Sequence, residues 1–203
     1  MMIVVFVESW NNQFKKASFE AVSYARSWAN MAGCGVRAIT SASAENASQL
    51  AQYGADEIAT LELAQTGAGI GAQLAGLVGD AQGVVVAGTA MGKIIAPTLA
   101  ALTSGALSTN TTGTPTSTSP VMVERGAFSS KGIETISLNN GLPIISFVPN
   151  AIGIKEEAGA GTMTSVAASG ADKLTTNEVS VASGKVALPE AEIVVSAGRG
   201  LKG

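Results

Sequence analysis

The stretch Met2-Ile-Val-Val-Phe-Val7 is a near-continuous apolar run at the start of the 203-residue sequence. Such a run is typical of a β-strand that is covered on both faces, as in a parallel sheet between two layers of helices. No basic segment precedes it and Glu8 follows it directly, so we interpret it as a strand and not as a signal peptide. The run therefore predicts an α/β domain.

Strands and helices alternate after this run. Phe14, Ala21 and Trp28 recur at seven-residue spacing and predict a first helix over residues 13–32. Pro97 is tolerated in the first turn of a helix, which places the start of the fourth helix near Ile95. The other predicted elements are a strand over 36–40, a helix over 43–53, a strand over 56–61, a helix over 66–78 and a strand over 84–87. Four βα units in series favour a three-layer α/β/α, Rossmann-like fold with a mainly parallel sheet.

The pattern changes after Leu107. Residues 109–119 are rich in Thr, Ser, Gly and Pro and are typical of a flexible loop. Three strands with short turns are then predicted, and we expect them to form an antiparallel β-meander at one edge of the sheet; they span residues 121–125, 133–138 and 144–148. Residues 153–183 show little periodicity and indicate an extended connecting arm, in which residues 178–181 are compatible with a strand.

Composition excludes several classes of function. The formal net charge is −3 and no basic run is present, which disfavours a nucleic-acid partner. The sequence contains no histidine and a single cysteine, Cys34, so it cannot form a Ser-His-Asp or Cys-His system, an internal disulfide or a Cys-rich zinc site. Its apolar runs are shorter than a membrane helix requires, so no direct membrane insertion is expected.

Two glycine-rich turns invite a nucleotide-binding interpretation. Residues 88–93, Gly-Thr-Ala-Met-Gly-Lys, resemble a P-loop, but the spacing is one residue short and Ile94 stands where Ser or Thr must reach magnesium. Residues 67–71 resemble a dinucleotide fingerprint, but they do not follow a strand directly, and Thr66 is expected to cap a helix there. A packing turn is favoured at residues 88–93, and a helix start that tolerates glycine is favoured at residues 67–71. A stand-alone nucleotide-binding module for AMP or ATP, using residues 88–93, remains the alternative function.

Three further features of the sequence bear on function. Cys34 has no strongly electropositive setting and is interpreted as structural. Glu156 and Glu157 are interpreted as a solvated surface pair. The sequence Ile193-Val-Val-Ser-Ala-Gly-Arg-Gly-Leu-Lys202 predicts a buried strand followed by a glycine-rich turn, in which Arg199 can approach an anion.

This last stretch is similar to the V-V-S-G-G-R-G-L-K signature that opens the flavin-binding domain of electron transfer flavoprotein α subunits. The resemblance extends along the chain in the order of the family. The matching stretches are Ile3-Val-Val-Phe-Val-Glu8, Val84-Val-Val-Ala-Gly-Thr-Ala-Met-Gly-Lys93, Ala96-Pro-Thr-Leu-Ala-Ala-Leu102, Arg125-Gly-Ala-Phe128 and Phe147-Val-Pro-Asn-Ala151. Ala197 replaces a glycine of the signature, and Thr98 and Val148 replace family arginines.

The resemblance implies an adenine nucleotide alpha hydrolase-like fold and an electron carrier that is not itself an enzyme. It implies FAD as the cofactor, with Arg199 contacting it and Gly198 and Gly200 shaping the loop. It also implies a heterodimer with an electron transfer flavoprotein β subunit, which usually holds AMP. Acyl-CoA dehydrogenases of fatty acid β-oxidation and other dehydrogenases would donate electrons, and a quinone oxidoreductase would accept them. A cytoplasmic location is expected.

The same resemblance divides the chain into three parts. Residues 1–152 would be the N-terminal α/β domain, residues 153–190 the connecting arm, and residues 191–203 the first strand and glycine-rich loop of the flavin-binding domain. Most of the flavin site would then lie outside these residues. We therefore expect that the chain does not retain FAD by itself and that its exposed apolar surface favours self-association.

Overall fold

A computed structural model describes residues 1–168, 172–178, 188, 191, 193–198, 200 and 201. The helices are α1 (Lys16–Ala32), a 3₁₀ helix (Ala47–Tyr53), α2 (Gly67–Ala75) and α3 (Gly92–Thr103). The strands are β1 (Met2–Phe6), β2 (Ser9–Trp10), β3 (Gln13–Phe14), β4 (Gly35–Ser41), β5 (Glu57–Leu61), β6 (Ala81–Ala87), β7 (Ala106–Thr111), β8 (Ser117–Thr118), β9 (Val121–Ala127), β10 (Gly132–Leu138), β11 (Pro143–Phe147) and β12 (Thr162–Ser165).

A single large sheet forms the middle layer, with the strand order β10-β9-β7-β11-β6-β1-β4-β5-β12. The seven strands β7, β11, β6, β1, β4, β5 and β12 are consecutive in this order, and each pair of adjacent strands among them is parallel. β9 pairs antiparallel with β7, β8 and β10 at one edge. The predicted fold class, a mainly parallel Rossmann-like α/β fold with added antiparallel strands, is confirmed.

β1 contributes to both hydrophobic cores because successive side chains of a strand point to opposite faces. Ile3 and Val5 pack with residues of α1 on one face, and Val4 and Phe6 pack with residues of α2 and α3 on the other. Burial of a large apolar side chain contributes about 1.5–3 kcal/mol, so the continuous apolar run of β1 stabilises both layers. The sequence therefore places β1 at the centre of the sheet.

The first helix begins later than predicted. Residues Ser9–Trp10 and Gln13–Phe14 pair as a two-stranded hairpin, and α1 starts only at Lys16. Asn11 and Asn12 form its turn with φ of 49° and 62°, a left-handed conformation that asparagine tolerates better than most residues. At the other end, Gly33 stops the helix as expected, with φ of 67°.

The two following helices also differ in detail. The predicted helix over 43–53 is a shorter 3₁₀ helix, which starts after Asn46 and stops at Gly54. α3 begins at Gly92, so the prediction of a start near Ile95 was wrong. Pro97 lies inside α3, on an exposed part of the helix where water can bond to the carbonyl that loses its partner.

The predicted β-meander was wrong for its third strand. β9 and β10 form an antiparallel hairpin, but β11 lies between β6 and β7 and is parallel to both. Ile144 to Phe147 are buried on both faces of the sheet, which favours a central position. The loop predicted over 109–119 contains the end of β7 and all of β8, so that prediction was wrong as well.

Residues 153–168 and 172–178 are called the arm. The first part runs along α1 and the 3₁₀ helix and ends in β12, which adds to the sheet beside β5.

Two further strand predictions concern the last residues of the chain. Of residues 178–181, which are compatible with a strand, only Glu178 is described, and it lies outside any strand. Ile193 to Val195 are exposed and outside any strand, in contrast to the prediction of a buried strand, because no described strand pairs with them. Among the described residues, no helix is long and apolar enough to cross a membrane.

Candidate functional site

A cavity of about 530 Å³ opens at the carboxyl ends of β1 and β6. Within the large sheet, the chain passes from β1 to β4 towards one edge and from β6 to β7 towards the other edge. The strand order therefore reverses between β1 and β6. Such a switch point is where ligands of open α/β sheets bind, and the volume is that of a small-molecule site. The charged residues that line it are Glu8, Lys15, Lys16 and Lys93, and Thr89 adds a hydroxyl group.

Thr89 links the carboxylate of Glu8 to the start of α3 inside this cavity. The hydroxyl of Thr89 donates to Glu8 Oε2 at 2.5 Å and accepts from the amide of Gly92 at 3.0 Å. A carboxylate therefore lies beside the start of α3, in the position where a phosphate-binding turn needs positive potential.

The turn over residues 88–93 does not form a phosphate cradle. The amide of Gly88 donates to Phe147 O, that of Thr89 to Ala87 O and that of Lys93 to Thr89 O, at distances of 2.8, 2.8 and 3.0 Å. A Cβ on Gly92 would lie 1.9 Å from Ala87 O, so this glycine serves close packing of the helix on the strand. These bonds agree with the interpretation as a packing turn.

The second glycine-rich turn caps α2, as predicted. Thr66 Oγ1 accepts from the amide of Gly69 at 3.0 Å, which is the bond expected of an N-cap threonine. The carboxylate of Asp172, more than 100 residues away in sequence, also reaches this hydroxyl. This contact could not be anticipated from the local sequence.

A buried carboxylate on α1 fixes the point where the arm leaves the domain. Glu20 is 1% exposed, and its two oxygens accept from the amides of Asn150, Ile152 and Gly153 at 2.7, 3.0 and 3.0 Å. Burying a carboxylate is costly unless its oxygens are bonded, and three amide donors meet that need. Sequence reasoning did not identify Glu20.

Further polar side chains of α1 hold the arm by its backbone. Ser23 exchanges two hydrogen bonds with the backbone of Lys155, at 2.9 and 3.0 Å. Asn30, about two turns further along the helix, donates instead to a side chain of the arm, at Glu157 Oε1, over 2.9 Å. Glu156 and Glu157 are exposed, as predicted, although Glu157 has this partner. The polar residues of α1 look like a solvated face in the sequence, which is why the arm-binding role was missed.

Asp56 ties the arm to an ion pair. Its carboxylate accepts from Arg26 Nη2 at 2.5 Å, from Val36 N at 2.9 Å and from Ala160 N at 3.4 Å. Burial acts to raise the pKa of Asp56, but the hydrogen bonds from Val36 and Arg26 outweigh it and lower the pKa below the usual value. Nearby, burial raises the pKa of the Cys34 thiol, which agrees with its interpretation as structural.

Gly198 and Gly200, the glycines predicted to shape the flavin-binding loop, are not among the residues that line the cavity. Gly198 and Gly200 are exposed, and the amide of Leu201 donates to Gly198 O at 3.1 Å in a turn. Arg199, the predicted flavin contact, lies outside the described residues. The two positions where family arginines are replaced are ordinary in structure: Thr98 Oγ1 donates to Ile94 O at 2.8 Å, and Val148 is partly exposed.

Comparison with known proteins agrees with this architecture. The electron transfer flavoprotein domain matches residues 3–193 of the chain. A relative, the electron transfer flavoprotein subunit alpha of Syntrophomonas wolfei subsp. wolfei, is 29% identical over 216 residues. The alignment covers 98% of this chain and 65% of the relative, so the chain spans slightly less than two thirds of that protein's length. With a matching domain over nearly its whole length and a sheet of the expected class, the chain belongs to the electron transfer flavoprotein family and is of the α-subunit type.

Proposed function

We propose that this chain is the N-terminal assembly domain, with its connecting arm, of an electron transfer flavoprotein α subunit. The observation that carries the proposal is the family match over residues 3–193, which includes the arm as well as the sheet. In this proposal residues 1–152 form the domain that packs against a β subunit, residues 153–190 connect, and residues 191–203 begin the flavin-binding part. The chain then has no catalytic residue and serves an electron carrier.

The cofactor of the proposed heterodimer is FAD. Arg199 would contact it, and Gly198 and Gly200 would shape the loop that brings the arginine close. A guanidinium forms charge-assisted hydrogen bonds with the negative pyrophosphate or reduced flavin, worth about 1.5–3 kcal/mol each. The redox chemistry belongs to the flavin, and the protein supplies position and charge. Support comes from the similarity of residues 194–202 to the family signature and from the exposure of both glycines.

The electron donors and the acceptor complete the proposal. Acyl-CoA dehydrogenases of fatty acid β-oxidation, and other dehydrogenases, would reduce the flavin, and a quinone oxidoreductase would reoxidise it in a cytoplasmic relay. Thr98 and Val148, which replace family arginines, would give this member a less charged contact surface. Thr98 lies in the middle of α3, and Val148 directly follows β11 at the carboxyl end of that strand.

Co-expression tests the assembly and the flavin contact together. A complete α chain containing these 203 residues, co-expressed with a β subunit, should elute as a one-to-one complex with bound flavin. Arg199→Gln should weaken FAD binding about tenfold or more, because a charge-assisted bond is lost. The control is Arg125→Gln, which removes an ion pair with Glu134 in the β9–β10 hairpin. Separate elution of the chains would refute the assembly role, and unchanged flavin affinity in Arg199→Gln would refute the contact.

One observation favours the alternative, a stand-alone module that binds AMP or ATP. The cavity has the size of a nucleotide site and Lys93 lines it. Against this, the carboxylate of Glu8 lies beside the turn, and the amides of residues 88, 89, 92 and 93 are bonded within the protein. Calorimetric titration with AMP and ATP separates the two functions. Tight binding that is lost in Lys93→Ala would favour the alternative.

A further inference from the structure

The carboxylate of Asp172 is seated on the start of α2. Its Oδ2 accepts from the amide of Gln65 at 2.5 Å, and its Oδ1 accepts from the amide of Thr66 at 3.2 Å and from the Thr66 hydroxyl at 2.5 Å. Three donors thus converge on one side chain that comes from the distal part of the arm. The positive end of the α2 dipole adds to the attraction.

The start of α2 has space for this carboxylate only because residue 69 is glycine. A Cβ on Gly69 would lie 2.1 Å from Asp172 Oδ1 and 2.7 Å from the Cβ of Ala64. Glycine in a helix costs about 1 kcal/mol relative to alanine, and the φ of Gly69 is not one that requires glycine. Clearance for the carboxylate, together with clearance for the Cβ of Ala64, therefore gives a physical reason for glycine at this position.

A second contact holds the same part of the arm. The side-chain oxygen of Gln65 accepts from the amide of Thr176 at 3.3 Å. Upstream, β12 pairs with β5, and Val166 and Ala168 pack on the hydrophobic core beneath α2 and α3. The arm is thus attached on both sides of residues 169–171, which lie outside the described residues.

We propose that the N-terminus of α2 is a carboxylate-binding site whose ligand is the chain's own Asp172, and that this contact latches the distal arm to the domain. The latch sets where the chain leaves the domain. The chain leaves after residues 172–176 when the latch is closed, and after Ala168, which packs on the core, when it is open. If the arm leads to a flavin-binding part, as the proposed function has it, the latch limits how far that part can move from the domain. Only this consequence rests on the proposed function.

Trypsin cleavage after Lys173 reports the state of the latch, because Lys173 adjoins Asp172 and is exposed. Asp172→Asn keeps the shape of the side chain but turns one acceptor into a donor that faces other donors. The variant should be cleaved after Lys173 about tenfold faster than the wild type, because protease access follows local opening. Asp80→Asn, which removes an exposed carboxylate that pairs with Arg37, is the control and should be cleaved at the wild-type rate.

A matched pair of glycine substitutions on α2 tests the same idea without changing charge. Gly69→Ala places a methyl group where the carboxylate sits and should also accelerate cleavage after Lys173. Gly76→Ala, at the other end of α2, meets only Gln73 O at 3.5 Å and should leave the rate unchanged. Equal cleavage rates for wild type, Asp172→Asn and Gly69→Ala would overturn the latch. Because these assays use the 203-residue chain without flavin or β subunit, that result would leave the proposed function intact.

Discussion

The starts of α2 and α3 are built alike but differ in where their carboxylate comes from. In each, a threonine hydroxyl accepts from the amide three residues later at 3.0 Å and donates to a carboxylate at 2.5 Å. At α3 the carboxylate is Glu8, which follows the central strand β1, whereas at α2 it is Asp172 of the arm. The first is part of the packed domain, and the second can leave without unfolding it. An internal carboxylate at a helix start can therefore be either a structural cap or a removable contact.

The two helix starts should differ most in the loss of unfolding free energy when Gly92 or Gly69 is replaced by alanine. Gly92→Ala places a Cβ 1.9 Å from the backbone oxygen of Ala87 and should lower the free energy of unfolding by about 3 kcal/mol, because neither backbone can move away. Gly69→Ala should lower it by only about 1 kcal/mol, because the arm can detach and alanine favours the helix, so that only the contact with the Cβ of Ala64 has to relax. Urea unfolding followed by circular dichroism measures both. Equal losses would show that the two starts do not differ.

A smaller difference is expected for the threonines. Thr89→Val removes the acceptor for Gly92 and the donor to the half-buried Glu8, and should cost about 2 kcal/mol. Thr66→Val should cost about 1 kcal/mol, the usual value of an N-cap. Only Thr66→Val should also accelerate cleavage after Lys173. If Thr89→Val accelerated that cleavage to the same extent, opening of the arm would be a general result of destabilisation and not of a broken latch.

The smallest effect is the pH dependence of the latch. The hydrogen bond from the Thr66 hydroxyl, followed by those from the Gln65 and Thr66 amides, lowers the pKa of Asp172 below its usual value of 3.8. A lowered pKa in the folded state means that the contact is complete above the usual value and is lost as pH falls through the lowered one. The amide NMR signals of Gln65 and Thr66 should therefore shift in that range. In Asp172→Asn this titration should be absent, and its persistence would assign the shift to another group.

Much of the fold could be predicted from the sequence because apolar runs mark buried parallel strands directly. β1, β4, β5 and β6 follow from such runs, and Gly33 and Gly54 end their helices as expected. The position of β11 was missed because short turns suggested a meander, although its buried residues on both faces already favour a central strand.

The candidate site was less predictable. The resemblance identified the family, but contacts made by Glu20 and Asp172 join residues more than 100 positions apart, and no local pattern reports them. Glu20 looks like one of several polar residues on a helix, and its burial becomes apparent only when β11 and the following turn are placed. Long-range pairing of this kind depends on the tertiary fold and not on propensity.

The attachment of the first part of the arm to α1 has a consequence for how this protein can diverge. Glu20 and Ser23 bind backbone atoms of the arm, so most arm side chains contribute little to its path. Exceptions are Gly153 and Gly161, which have φ of 74° and 66°, and Gly159, whose Cβ would lie 2.3 Å from Ala55 O. From residue 153 to β12, an arm of unrelated sequence that keeps these three glycines would follow the same route. The domain thus acts as a template for the arm, which frees the sequence of the arm to change.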